Sequence, residues 1–91
     1  MTRPRFDWTQ ADGAVWTAKI GDLTLVAAPD RYKGVKPARG TKWHAAVNHW
    51  DERTRTISRF GRDVYSDLQP TAQAAKRLAE QVYLEATVKT R

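Results

Sequence analysis

The stretch after Pro70 carries the pattern that most restricts the fold. Ala75, Leu78, Ala79, Val82 and Ala86 recur at helical spacing and form one apolar stripe. Gln69 stands before a proline, which pushes it away from helical angles, and Thr71 can cap the turn that follows. A capping box starting at Ser66 with Gln69 is the alternative, but it would leave Pro70 at the end of the first turn. The reading is a C-terminal helix over 71–87, about 25 Å long. Its apolar stripe needs a partner layer, and a three- or four-stranded sheet is the right width. On the outer face Lys76 and Glu80 stand four apart, an ion pair worth about 0.3 kcal/mol.

Upstream the period changes from helical to alternating. Trp16, Ala18 and Ile20 share one side of a strand over 15–20, with Thr17 and Lys19 on the other. Gly21-Asp22 separates it from a second strand, Leu23 to Ala28. Glycine first in a two-residue connection suits a type II′ hairpin. Pro29 closes that strand because it has no N–H for a ladder. A third strand follows over 43–50, with Trp43, Ala45 and Val47 on one face and His44, Asn48 and Trp50 on the other. Asp51 to Thr54 makes a polar turn. Arg55 to Phe60 forms a weaker fourth strand, in which Ile57 points opposite to Phe60. Gly61 breaks it, and Val64, Tyr65 and Leu68 are expected to tuck a connector against the core. The expected fold is α+β: an antiparallel sheet of three to four strands backed by one C-terminal amphipathic helix. At 91 residues the chain makes a single domain. Residues 1–13 form a partly ordered lead-in whose Phe6 and Trp8 can cap the core as a short strand. Residues 29–42, rich in Pro, Gly and basic side chains, form a long mobile loop.

Charge is segregated along the chain. Residues 1–28 and 63–91 each sum to zero, whereas 29–62 holds nine basic against three acidic residues and so carries the whole +6. Such a block is the electrostatic footprint for a polyanion or an acidic protein face; the bland alternative is a solvated loop. There is no cysteine, which excludes disulfide scaffolds, Cys-ligated zinc modules, iron–sulfur proteins and thiol enzymes. No apolar run reaches membrane-spanning length, and no apolar stretch follows the basic start, so a soluble cytoplasmic protein is expected.

Chemistry-bearing constellations are sparse. His44 and His49 are five apart, which puts them on opposite faces of a strand and off the i,i+4 spacing of a helical chelate, so no metal is expected. The two serines lie in no nucleophile elbow, there is no glycine-rich phosphate loop, and the carboxylates are scattered. No enzymatic activity and no cofactor are expected. Four tryptophans are heavy use for so small a core. Trp16 and Trp43 are in phase with apolar neighbours and belong inside. Trp50 is out of phase with Val47. It either forms a stacking or anchoring platform with Tyr32, His44, Arg55 and Arg59, or packs beneath the lead-in or the fourth strand.

Trp43-His44-Ala45-Ala46-Val47, then Ile57 to Gly61, then Thr71-Ala72-Gln73-Ala74-Ala75 running to Ala79-Glu80 resemble the amino-terminal DNA-binding domains of tyrosine-type integrases. They are also similar to plant ethylene-response-factor DNA-binding domains. The resemblance spans 43–86. It implies a sheet inserted into the major groove, groove contacts from Arg55 and Arg59, and phosphates near Arg53 and Arg62. The loop 29–42 and the eight residues 61–68 depart from that pattern. The overall look also suits small accessory proteins of phages and mobile elements, among them anti-CRISPR proteins. The expected function is a non-enzymatic nucleic-acid-binding module, DNA foremost, acting through Arg31, Tyr32, Lys33, Lys36, Arg39, Lys42, His44, Trp50, Arg53, Arg55, Arg59 and Arg62. The alternative is an anti-CRISPR-like inhibitor that binds an acidic face of a host nucleic-acid-handling defence complex.

Overall fold

The computed structural model describes residues 5–11, 14–30, 32–33, 36–37 and 40–89, with backbone alone at 11, 32, 33, 36, 37 and 89. The elements run β1 (Thr9–Ala11), β2 (Val15–Ile20), β3 (Leu23–Pro29), β4 (Tyr32–Lys33), β5 (Lys36–Pro37), β6 (Trp43–Asp51), β7 (Thr56–Arg59) and α1 (Ala72–Lys89). One antiparallel sheet has the order β1-β2-β3-β6-β7, and α1 lies across β3 and β6. The α+β architecture is the expected one, with five strands rather than three or four. The added strand comes from the lead-in: Thr9, Gln10 and Ala11 pair with Thr17, Trp16 and Val15.

Two expectations at the loops are corrected. The span 29–42 is not featureless, because Tyr32 pairs with Pro37 and Lys33 with Lys36 in a small separate ladder. The two residues between those strands begin with glycine, the same cue that marks the turn at 21–22. The connector 61–69 places Val64 in the core at 4% exposure, but Tyr65 and Leu68 remain 42% and 40% exposed. It is held instead by its backbone: Trp43 and Gln69 exchange two N–H···O bonds of 2.8 Å.

The local cues explain the elements that form as expected. Gly21 has φ of 58° while Asp22 does not enter the left-handed region, which makes the β2–β3 connection a type II′ turn. Thr71 caps α1, its Oγ1 accepting the Ala74 N–H at 3.1 Å. The helix then runs to Lys89, two residues beyond the expected end. Lys76 and Glu80 do not pair with each other. Two indoles take them instead: the Lys76 ammonium sits 3.5 Å from the centroid of the Trp16 ring on β2, and Glu80 accepts the N–H of Trp8 in the lead-in at 2.8 Å.

The core is made of small side chains. Ala18, Leu25, Ala27, Trp43, Ala45 and Val47 from the sheet meet Ala75, Ala79 and Val82 from the helix. Larger rings close the rim: Phe6 lies edge-on to Tyr83, with centroids 5.8 Å apart, and Phe60 lies beside Tyr83 at 6.3 Å. Gly61 serves the same close approach. Its φ is 75°, and a Cβ there would stand 3.1 Å from Ala86 Cβ and 3.1 Å from Val82 Cγ1. Gly61→Ala therefore combines left-handed backbone strain with overpacking and is expected to cost about 2 kcal/mol. The measurement is the urea midpoint at unchanged m-value; a midpoint within error of the parent protein would refute this account.

Candidate binding face

Residues paired directly across an antiparallel sheet share a face. Ala18, Leu25 and Val47 form one row, all buried beneath α1. The alternate rows must therefore point away from the helix. One is Lys19–Thr24–Asn48–Arg59, crossing β2, β3, β6 and β7, and beside it Trp50 stands opposite Ile57. Trp50 is 42% and Ile57 64% exposed. Trp50 is thus partly exposed on the outer face, while His44 and Arg59, expected beside it, gather around Tyr65.

A polar cluster occupies the half of this face nearer Trp43. The Tyr65 ring stacks on His44 with centroids 4.1 Å apart and planes 8° from parallel. The His44 ring nitrogens meet the Tyr65 carbonyl at 2.7 Å and an Asp30 carboxylate oxygen at 3.0 Å. Both neighbours are hydrogen-bond acceptors, so the ring is held between the connector backbone and the residue that follows β3. Arg59 donates to the Asn48 side-chain carbonyl and to Asp63 (3.4 Å), and its Cζ lies 5.1 Å from the Tyr65 ring centroid. Asp63 also accepts the Tyr65 backbone N–H at 3.0 Å.

The other end of the face is the β6–β7 hairpin. Leu23 opposite His49 is the last rung between β3 and β6, so Trp50 and the turn extend beyond that pairing. Asp51 organises the turn: its carboxylate accepts the N–H groups of Arg53 (2.9 Å) and Thr54 (3.4 Å), and its carbonyl accepts Arg55 N–H at 2.7 Å. Closing the turn holds Arg55 at φ of 55°, the one non-glycine in the left-handed region among the described residues. Glu52 is engaged by the Trp50 indole N–H at 2.6 Å. Both acids of the turn are thus occupied, while the guanidinium groups of Arg53 and Arg55 have no ion-pair partner among the described residues.

The twelve residues singled out from sequence fall into distinct places. Arg31 and Arg39 lie outside the described residues, and Tyr32, Lys33 and Lys36 are described by backbone alone. Lys42 is exposed just before β6, and its carbonyl accepts the Asp30 N–H at 2.7 Å. His44, Trp50 and Arg59 share the outer face, with Arg53 and Arg55 at its hairpin tip. Arg62 does not join them: it pairs with Glu85 of α1 at 2.8 Å, which raises its pKa. Described side chains carry nine basic and nine acidic groups, so the formal excess of +6 rests on side chains outside the description. Tyr65, Asp30, Asn48 and Asp63 were not singled out, although Asn48 sits in phase with His44 and Trp50 on β6. His44 and His49 fall on opposite faces, and among the described residues no group of three His, Asp or Glu is placed to hold a metal. Comparison with known families, curated proteins and solved structures finds no match.

Asp63 makes the cluster sensitive to acid. Its bond from the Tyr65 N–H, helped by Arg59, holds its carboxyl below the ordinary value of 3.8. A carboxyl lowered by folding contributes stability that is full above its unfolded pKa and is lost as pH falls through the folded one. Between about pH 4 and 2 the parent protein is therefore expected to lose more stability than Asp63→Asn. Parallel urea titrations across that range check it; curves that fall together would remove Asp63 from the cluster's support.

Proposed function

We propose that this chain is a cytoplasmic, non-enzymatic module that binds nucleic acid, DNA foremost, along the helix-free face of its sheet. The observation that carries the reading is the hairpin tip, where Arg53 and Arg55 point two unpaired charges outward beside exposed Trp50 and Ile57. The basic span 29–42 joins β6 at its other end, eight residue steps away. At about 3.3 Å per step that is about 26 Å, the length of several nucleotides. Between the two ends runs the row Lys19–Thr24–Asn48–Arg59, which offers donors and acceptors suited to base edges or phosphates.

The electrostatic part of such binding is salt-dependent, because each neutralised phosphate releases counterions. The parent protein is expected to shift a DNA probe at about 50 mM salt, with affinity falling linearly on a log–log salt plot. Arg53→Glu with Arg55→Glu should weaken binding and lower the salt slope by about 2. No shift by the parent protein would overturn the reading.

The exposed Trp50–Ile57 pair favours a second reading, since aromatic anchors also fill pockets on proteins. In it the chain is an anti-CRISPR-like inhibitor that seats this tip on an acidic face of a host defence complex. A stoichiometric protein retained from nuclease-treated host lysate, with no shift of any oligonucleotide, would select it.

A further inference from the structure

We infer that Trp50 is a stacking platform for an unpaired base, so that the hairpin tip selects single-stranded over double-stranded nucleic acid. This rests on the nucleic-acid reading above and names the form of the ligand. The Trp50 N–H is already bonded to Glu52 at 2.6 Å, so it is not free to read a base edge. What the indole offers is its face, 42% of the residue being exposed. No other aromatic ring is stacked on it among the described residues. Trp50 stands one residue beyond the last β3–β6 rung, its backbone N–H bonded to the Asp22 carbonyl of the β2–β3 turn at 3.3 Å. Tyr65 is exposed to the same 42%, but its ring already stacks with His44 and carries the Arg59 guanidinium 5.1 Å from its centroid.

A base in a duplex has both faces covered by its neighbours, whereas an unpaired base can lie flat on an indole. The charges around Trp50 complement the strand that would carry such a base. Arg53 and Arg55 follow three and five residues later, and both acids of the turn, Asp51 and Glu52, are engaged within it. Arg55 is held at φ of 55°, where glycine or asparagine fits with less strain. Keeping a long cationic side chain at that position accords with a contact made by it. Ile57, opposite Trp50, widens the apolar floor for the base and its sugar.

The test compares the parent protein, Trp50→Ala and Trp50→Phe on a 15-nucleotide oligothymidylate and on the same strand paired with its complement. Circular dichroism confirms that each variant folds. The expected results are tighter binding of the single strand by the parent, a loss of about tenfold for Trp50→Ala on that strand alone, and near-parental binding for Trp50→Phe. Equal affinity of the parent for both probes, or equal losses on both in Trp50→Ala, would overturn the platform and leave the nucleic-acid reading standing. Absence of binding to either probe by the parent would overturn that reading itself.

Discussion

The seam between α1 and the sheet sets the dimensions of everything else. Where the helix crosses β3 and β6, the meeting residues are mostly alanine: Ala27 and Ala45 below, Ala75 and Ala79 above, all fully buried. Alanine lets two backbones approach closely at no cost in side-chain entropy. It also contributes little apolar area, so Leu25, Val47 and Val82 are the largest side chains fully enclosed. The missing area is made up at the margin by Phe6, Trp8, Trp16, Phe60 and Tyr83, each partly buried against the core. A short lead-in thereby becomes structural. Trp8 and Trp16 reach the helix through Glu80 and Lys76, and β1 adds a strand to hold them in register.

The same seam explains why one face is left uncovered. One helix covers one side of a five-stranded sheet, and this chain has no second layer among the described residues. The outer face is therefore mixed: Thr17, Lys19, Thr24, Asn48 and Arg59 lie along it beside Val26 and Ala46, of which Ala46 is buried. Its aromatic residues are treated in two ways. Tyr65, though 42% exposed, has its ring stacked with His44 and near the Arg59 guanidinium, and its backbone N–H is held by Asp63. Trp50 has its polar edge satisfied and its ring open. A side chain that has lost its hydrogen-bonding need but kept its apolar surface is the kind that gains by being covered.

The strands, their faces and the helix cap were legible because each rests on local physics: alternation for Trp16–Ala18–Ile20 and Trp43–Ala45–Val47, glycine before Asp22, proline before Thr71. What was not legible depended on distant partners. Gln10 gives no sign that it pairs with Trp16, and Lys76 and Glu80 look like an ordinary helical ion pair until the indoles of Trp16 on β2 and Trp8 in the lead-in claim them. Tyr65 reads as core from its neighbours Val64 and Leu68. It is drawn outward because His44, twenty-one residues earlier, offers a flat ring and a donor for its carbonyl. The charge block at 29–62 was visible as composition, but composition cannot say which cations find acids. Arg59 and Arg62 do; Arg53 and Arg55 find none among the described residues.

That last division follows from where each acid is placed. Asp63 and Glu85 sit on segments that fold back onto the sheet, so they reach cations near the connector and neutralise them. Asp51 and Glu52 sit in the turn itself, nearest to Arg53 and Arg55, yet each is diverted: Asp51 to the N–H groups that close the turn, Glu52 to the indole. A carboxylate bonded to backbone N–H groups keeps its charge, so the tip is not strongly positive from afar. It presents two guanidinium groups whose hydrogen-bond donors remain open, in a turn too well bonded to rearrange toward them. On the nucleic-acid reading proposed above, long-range attraction for a polyanion would fall to the basic residues of 29–42, and the tip would act at contact range, where geometry rather than net charge decides what fits.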